Sequence, residues 1–216
     1  MPEAEAGEHQ QHCCADERGE CGNCGDLAHL PERVPVEQQT AQGLTLEHRR
    51  DLTGQRGVLR VGLCELGQLR VIVEDPSLKA NVTFSTNTGY AILRIAPEVV
   101  AGELAAKRKE WDAATMHLER AVRYEDALVY QEPPDWHMPV RLNLGAVLLE
   151  AGRADEAEAV FWEDLRKNPG TGWALAGLLQ ALQAQKKDAD AAQIRQRLDK
   201  AWKDADVKLT TARIGS

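Results

Sequence analysis

The sequence predicts an all-α chain built from about three helix pairs, and three observations carry that prediction. From Tyr90 to Trp202, apolar residues return every three or four positions and Ala and Leu dominate, the pattern of helices that bury one face. Landmark residues in this stretch recur at a 34-residue interval, the mark of a repeated supersecondary unit. The chain of 216 residues is 43% hydrophobic but only 5% aromatic, a helix-leaning balance with enough apolar mass for a real core.

Taken in order, residues 1–44 stand apart. They hold nine acids against two bases, and so nearly all of the net charge of −8. They also carry four of the five cysteines, three of the six histidines and few large apolar side chains. Burial in such a segment does not offset the entropy of ordering it, so a disordered acidic tail is expected. The composition changes near Leu44. Residues 45–94 read as a degenerate helical region. Within it the run VLRVGLCELGQLRVIV at 58–73 mixes β-branched residues with the helix-like spacing of Leu59, Leu63, Leu66 and Leu69. Gly62 and Gly67 weaken either reading. Glu74, Asp75 and Pro76 stop whatever precedes them, because the residue before a proline is pushed out of helical geometry. Asn81 to Gly89 is rich in turn formers and reads as a loop or a frayed helix start.

Residues 95–205 contain the repeats. Between Met138 and Thr171 lie Leu144, Gly145, Gly152, Ala157, Phe161 and Pro169. Gly145 on a first helix and Ala157 on a second are small enough to let two backbones approach. Gly152 supplies the positive φ of the turn between them, and Pro169 ends the second helix. Leu144, Leu148 and Phe161 fill the space between the helices. Ala191 lies 34 residues after Ala157, and Ala114 lies 43 before it. The nine extra residues, Val129 to His137, contain Pro133 and Pro134 and read as a linker between units. Trp136 is expected to fold back and seal the gap there. Ile194, Leu198 and Trp202, at four-residue steps, form the apolar face of a closing helix. Residues 206–216 follow as a C-terminal tail.

On these residues the 95–205 segment resembles tandem tetratricopeptide repeats, its middle unit standing close to the family pattern. More narrowly, YEDALVYQEPPDWHMPVRLNLGAVLLEAGRADEAEAVFWEDLRKNPGTGWALAGLLQALQAQ and the closing Ala205–Arg213 resemble the C-terminal end of longer bacterial repeat proteins. The outer units depart from the pattern, with Ala101-Gly102 and Leu178-Leu179 where the middle unit has Leu144-Gly145. Terminal units of solenoids drift in this way because one face has no neighbour.

The resemblance implies a superhelix of helix pairs whose concave face binds a peptide or a protein, and it implies which residues line that face. They are Leu142, Asn143, Ala146 and Glu150 in the middle unit, and Trp173 and Gln180 in the last. Asn143 stands where peptide-clamping relatives hold a bound backbone. The cationic positions of such a clamp are not filled, since Glu98 and Trp173 occupy them, so a carboxylate clamp is not expected. Trp173 is expected either to anchor an apolar or mixed groove or to pack against the linker that precedes it.

A second function class rests on the N-terminal segment. His12, Cys13, Cys14, Cys21, Cys24 and His29 fall within 18 residues and offer thiolate and imidazole ligands of the kind zinc takes in fours. Only Cys21 and Cys24 have paired spacing, so the leading expectation is no cofactor, with a zinc-binding module as the alternative to a scaffold. No enzyme is expected either. There is no Gly-x-Ser-x-Gly and no His-Glu-x-x-His, and GECGNCG at 19–25 lacks the Lys-Ser/Thr of a phosphate loop. Net acidity argues against nucleic acid and anionic membranes as partners. No apolar run reaches the roughly 20 residues of a membrane span. The opening MPEAEAGEHQQ has no basic end or apolar core, so a cytoplasmic location is expected.

Overall fold

The computed structural model describes residues 46–80, 86–209 and 211–213. The chain divides into two units between Gly57 and Val58. The division falls inside the first helix, later than the composition change at Leu44. The described residues form helices and connecting turns: the fold is all-α. No helix among them is long and apolar enough to cross a membrane.

Helix α1 spans Leu46–Val73, which settles the ambiguous 58–73 run as helix. Gly62 is tolerated because it faces a neighbour: a Cβ there would lie 2.7 Å from Cδ2 of Leu104. The helix stops where Glu74, Asp75 and Pro76 predict. Two short helices follow, α2 (Ser77–Ala80) and α3 (Gly89–Leu93). The hydroxyl of Thr88 caps α3 by accepting from the Ala91 N–H at 3.1 Å.

The rest is three consecutive helical hairpins: α4 (Ile95–Lys107) with α5 (Trp111–Asp126), α6 (Val140–Glu150) with α7 (Ala154–Lys167), and α8 (Gly172–Ala184) with α9 (Asp188–Ala201). Each helix packs on the next, and the first helices α4, α6 and α8 also touch in succession. All three hairpins turn in one way. The N–H groups of Glu110, Arg153 and Lys187 donate back five residues to the carbonyls of Ala105, Leu148 and Leu182, at 3.0, 2.8 and 3.0 Å. The residue before each of these donors is left-handed: Lys109 at φ 61°, Gly152 at φ 77° and Lys186 at φ 60°. This is the Schellman ending, which satisfies helix carbonyls at the cost of a positive φ.

Only the middle turn places glycine at that position. A side chain in left-handed geometry costs roughly 1–2 kcal/mol, part of which glycine returns as unfolded-state entropy. Lys109→Gly and Lys186→Gly are therefore expected to stabilise the chain by about 0.5–1 kcal/mol each, and Gly152→Ala to destabilise it by about 1. Urea midpoints at constant m-value check this.

The predicted small residues are buried at the turns' own spacing, with Ala114 and Ala157 fully enclosed and Ala191 nearly so. Phe161 is fully buried and serves two hairpins at once. A Cβ on Gly145 of α6 would come within 2.6 Å of its Cε1, and one on Gly177 of α8 within 2.7 Å of its Cε2. Gly145 thus admits the Phe161 ring, one turn along α7 from Ala157. In α9, Ile194 is buried and Leu198 packs against the core. The indole of Trp202 lies over Gly172, where a Cβ would collide with it.

The joint between the first two hairpins is polar. Residues 127–139 connect them, and their path is fixed by Asn87, which lies just before α3. Its amide nitrogen donates to the Val129 carbonyl at 2.8 Å and to Asp135 Oδ2 at 2.7 Å, while its oxygen accepts from the Val129 N–H at 2.8 Å. A side-chain amide here does the work of a strand neighbour. At the start of α6, Glu125 of α5 accepts from the Val140 N–H at 2.9 Å, which satisfies one of that helix's orphan donors.

Candidate functional site

The face formed by the first helices is the candidate site, and the chain's own C-terminal segment sits on it. After α9 the backbone runs with Lys203 to Lys208 exposed, then turns inward. Thr211 Oγ1 accepts from the Arg213 N–H at 3.2 Å, a short side-chain turn that presents the two residues that matter. Ala212 is 0% exposed and belongs to the same apolar cluster as Leu142 and Ala146. Arg213 is 7% exposed. Its guanidinium donates to Glu103 Oε2 of α4 at 2.8 Å and to Glu150 Oε1 of α6. The second oxygen of Glu103 accepts from the Asn143 amide at 2.9 Å.

The chemistry of this arrangement is specific. A planar guanidinium offers several N–H donors in a rigid fork, so two carboxylates on adjacent helices hold it better than they hold a compact ammonium. Asn143 fixes the orientation of Glu103 and thereby one half of the cradle. Beside the segment lies a cavity of about 260 Å³ lined by Val99, Trp136, His137, Met138, Leu142 and Asn143 together with Ala212 and Arg213. Its walls are mostly apolar, with the Asn143 amide and the cradle at one side.

The structure gathers four of the six groove candidates here. Glu150 bonds Arg213 directly, Leu142 and Asn143 line the same cavity as Ala212 and Arg213, and Ala146 is buried one turn along α6 from Leu142. Leu142 and Ala146, at 1% and 5% exposure, serve the core as well as the face. Trp173 stands elsewhere on α8, its ring 6.1 Å from that of Trp202 in an edge-on contact at 73°. The chain's own closing residue therefore covers the expected anchor. Gln180 is half-buried on α8. Trp136 packs against the core as a seal and at the same time lines the cavity. Glu98 faces α5, where its carboxylate meets His117 Nδ1 at 2.6 Å and Arg120 at 3.2 Å.

Val99 and Glu103 were missed, although a signal existed. They lie 43 residues before Leu142 and Ala146, so the places that line the face in the middle unit, carried back one unit and its linker, select them. Nothing in the sequence pairs Arg213 with Glu103, 110 positions away. The metal candidates His12, Cys13, Cys14, Cys21, Cys24 and His29 lie outside the described residues. Among the described residues no group of three His, Cys, Asp or Glu is placed to hold a metal ion.

Three comparisons with known proteins bear on this face only by their silence: no family model, no curated protein and no solved structure matches the chain.

Proposed function

We propose that this chain is a tetratricopeptide-type scaffold whose first-helix face holds an extended polypeptide segment, so that it acts by binding rather than by catalysis. The observation that supports this most is the seating of Ala212 and Arg213. Two residues of irregular chain lie on α4 and α6 as deeply buried as the core, with a side chain held by charge-assisted bonds. A surface that buries two residues of its own chain in this way has the shape and acceptor set to take a segment from a partner. The three hairpins with like turns, the second and third 34 residues apart and the first separated by nine more, support the tetratricopeptide reading of the architecture.

The test uses the position of the cavity. A photoreactive benzoylphenylalanine replaces Val99 on α4, and in a second protein it replaces Trp162, which is 42% exposed on α7. Irradiation in a host-cell extract is expected to give a discrete adduct from position 99 that the position 162 protein does not give. Identical adducts from both positions, or none from position 99, would sink the reading.

A further inference from the structure

The Glu103–Glu150 cradle has a chemistry more particular than a general peptide groove, and the segment now in it indicates what it selects. We infer that this face is an arginine-recognition site, that its ligand is a partner segment carrying a small apolar residue followed by arginine, and that Ala212–Arg213 is the resident competitor for it. The inference rests on the groove reading above and narrows it to one side-chain chemistry.

Three observations carry it. First, the charge is complementary and convergent: carboxylates from two different hairpins hold one guanidinium, and the Asn143 amide donates to the second oxygen of Glu103 and so sets that carboxylate. Second, the position before the arginine is closed around a methyl group, Ala212 being 0% exposed. Third, the resident segment is anchored at two ends and solvent-exposed between them, where the Trp202 indole N–H donates to the Val207 carbonyl at 2.6 Å. The indole of Trp202 rests on Trp173 and Gly172 at one end, and Ala212–Arg213 anchors the other. Between them Lys203 to Lys208 are exposed, and Val207 is 59% exposed. A segment with few buried contacts along its length opens locally at low cost. The 260 Å³ cavity past Ala212 gives an incoming segment apolar surface to cover.

Because the resident arginine is tethered, it competes at an effective concentration in the millimolar range. A peptide of modest affinity therefore binds the intact chain weakly until that arginine is removed, in the manner of any site whose competent state is only partly populated.

The experiment uses the full chain and a fluorescein-labelled peptide of its own residues 205–216, with anisotropy as the readout. Arg213→Ala protein is expected to bind the peptide saturably, with an apparent Kd at least about 10-fold below that of the wild type. Arg213→Lys, a milder change that keeps the charge but loses the fork, is expected to fall between them and guards against a folding defect in the alanine variant. Binding to Arg213→Ala is expected to vanish when Glu103→Gln and Glu150→Gln are added, and when alanine replaces arginine in the peptide. Equal binding of the arginine and alanine peptides would overturn arginine recognition while leaving the groove reading intact. No binding to any folded variant, with the position 99 adduct still formed, would likewise overturn this inference alone. Loss of both the peptide binding and the adduct would remove the groove reading itself.

Discussion

Phe161→Ala is expected to destabilise the chain by about 3–5 kcal/mol, the range for deleting a fully buried aromatic side chain. The estimate belongs at the upper end for a structural reason. The ring is 0% exposed and lies between Gly145 on α6 and Gly177 on α8. Neither glycine has a side chain with which to refill the space, so the cavity left behind stays open and lengthens the list of lost contacts. The neighbouring Trp162 is half exposed and gives the control: Trp162→Ala is expected to cost less than about 1 kcal/mol. The reverse perturbation should also be visible. Gly177→Ala drives a methyl group into the ring and is expected to cost about 1–3 kcal/mol by overpacking. In the double variant Gly177→Ala with Phe161→Leu the penalties should be less than additive, because the smaller side chain makes room for the methyl. Equilibrium unfolding in urea of these variants, with Phe161→Leu alone completing the cycle, measures the costs. Additive costs would show that the glycines do not answer the ring.

That arrangement also shows what was legible in the sequence. Gly152, Ala157 and Phe161 could be assigned because each obeys a local rule at a repeated interval: a positive φ at a turn, a small residue at a helix crossing, a large one a turn later. The hairpin boundaries followed from those residues. Gly177, on α8 three residues before the groove candidate Gln180, is buried against Phe161, and a glycine that admits a neighbour's ring looks the same in sequence as one that lines an open groove. The 58–73 run stayed undecided because Gly62 weakens a helix unless something crowds it, and that something is Leu104, far along the chain. Glu103 with Arg213 and Asn87 with Val129 leave no periodic trace at all. Polar pairs between distant segments are set by where the folded backbone brings them, so Asn143 and Glu150 could be named from the sequence while their union with Glu103 and Arg213 could not.

The joint between the first two hairpins should make stability depend on pH, through Glu125. This carboxyl is drawn up to about 7, above its ordinary 4.5, chiefly because burial penalises the ion. The Val140 N–H and the charge of Arg141 on α6 pull the other way, while Asp126 on α5 and Asp164 on α7 add to the rise. A group whose folded pKa is raised contributes stability that is complete below its unfolded pKa and is lost as pH climbs through the folded one. Glu125 therefore stabilises the chain at pH 4.5 and below, and the contribution fades by pH 8. Asp164, also raised by its burial, acts with the same sign. Asp126 acts in another window. Arg141 holds it through paired bonds at 2.7 and 2.6 Å, which lowers it to about 2, so its contribution is constant above pH 4 and disappears only in acid. Between pH 5 and pH 8 Glu125 thus contributes to the slope. Glu125→Gln keeps an acceptor for the Val140 N–H and removes the titration. At pH 5 it is expected to match the wild type within about 0.5 kcal/mol. At pH 8 it is expected to be more stable by about 2 kcal/mol, taking about 1.4 kcal/mol per unit of displacement and discounting for the water that still reaches a half-buried group. Urea unfolding of both proteins across that range decides the matter. Parallel profiles would mean that Glu125 ionises in the folded chain as it does in water, and that the Arg141 guanidinium, not burial, governs the joint.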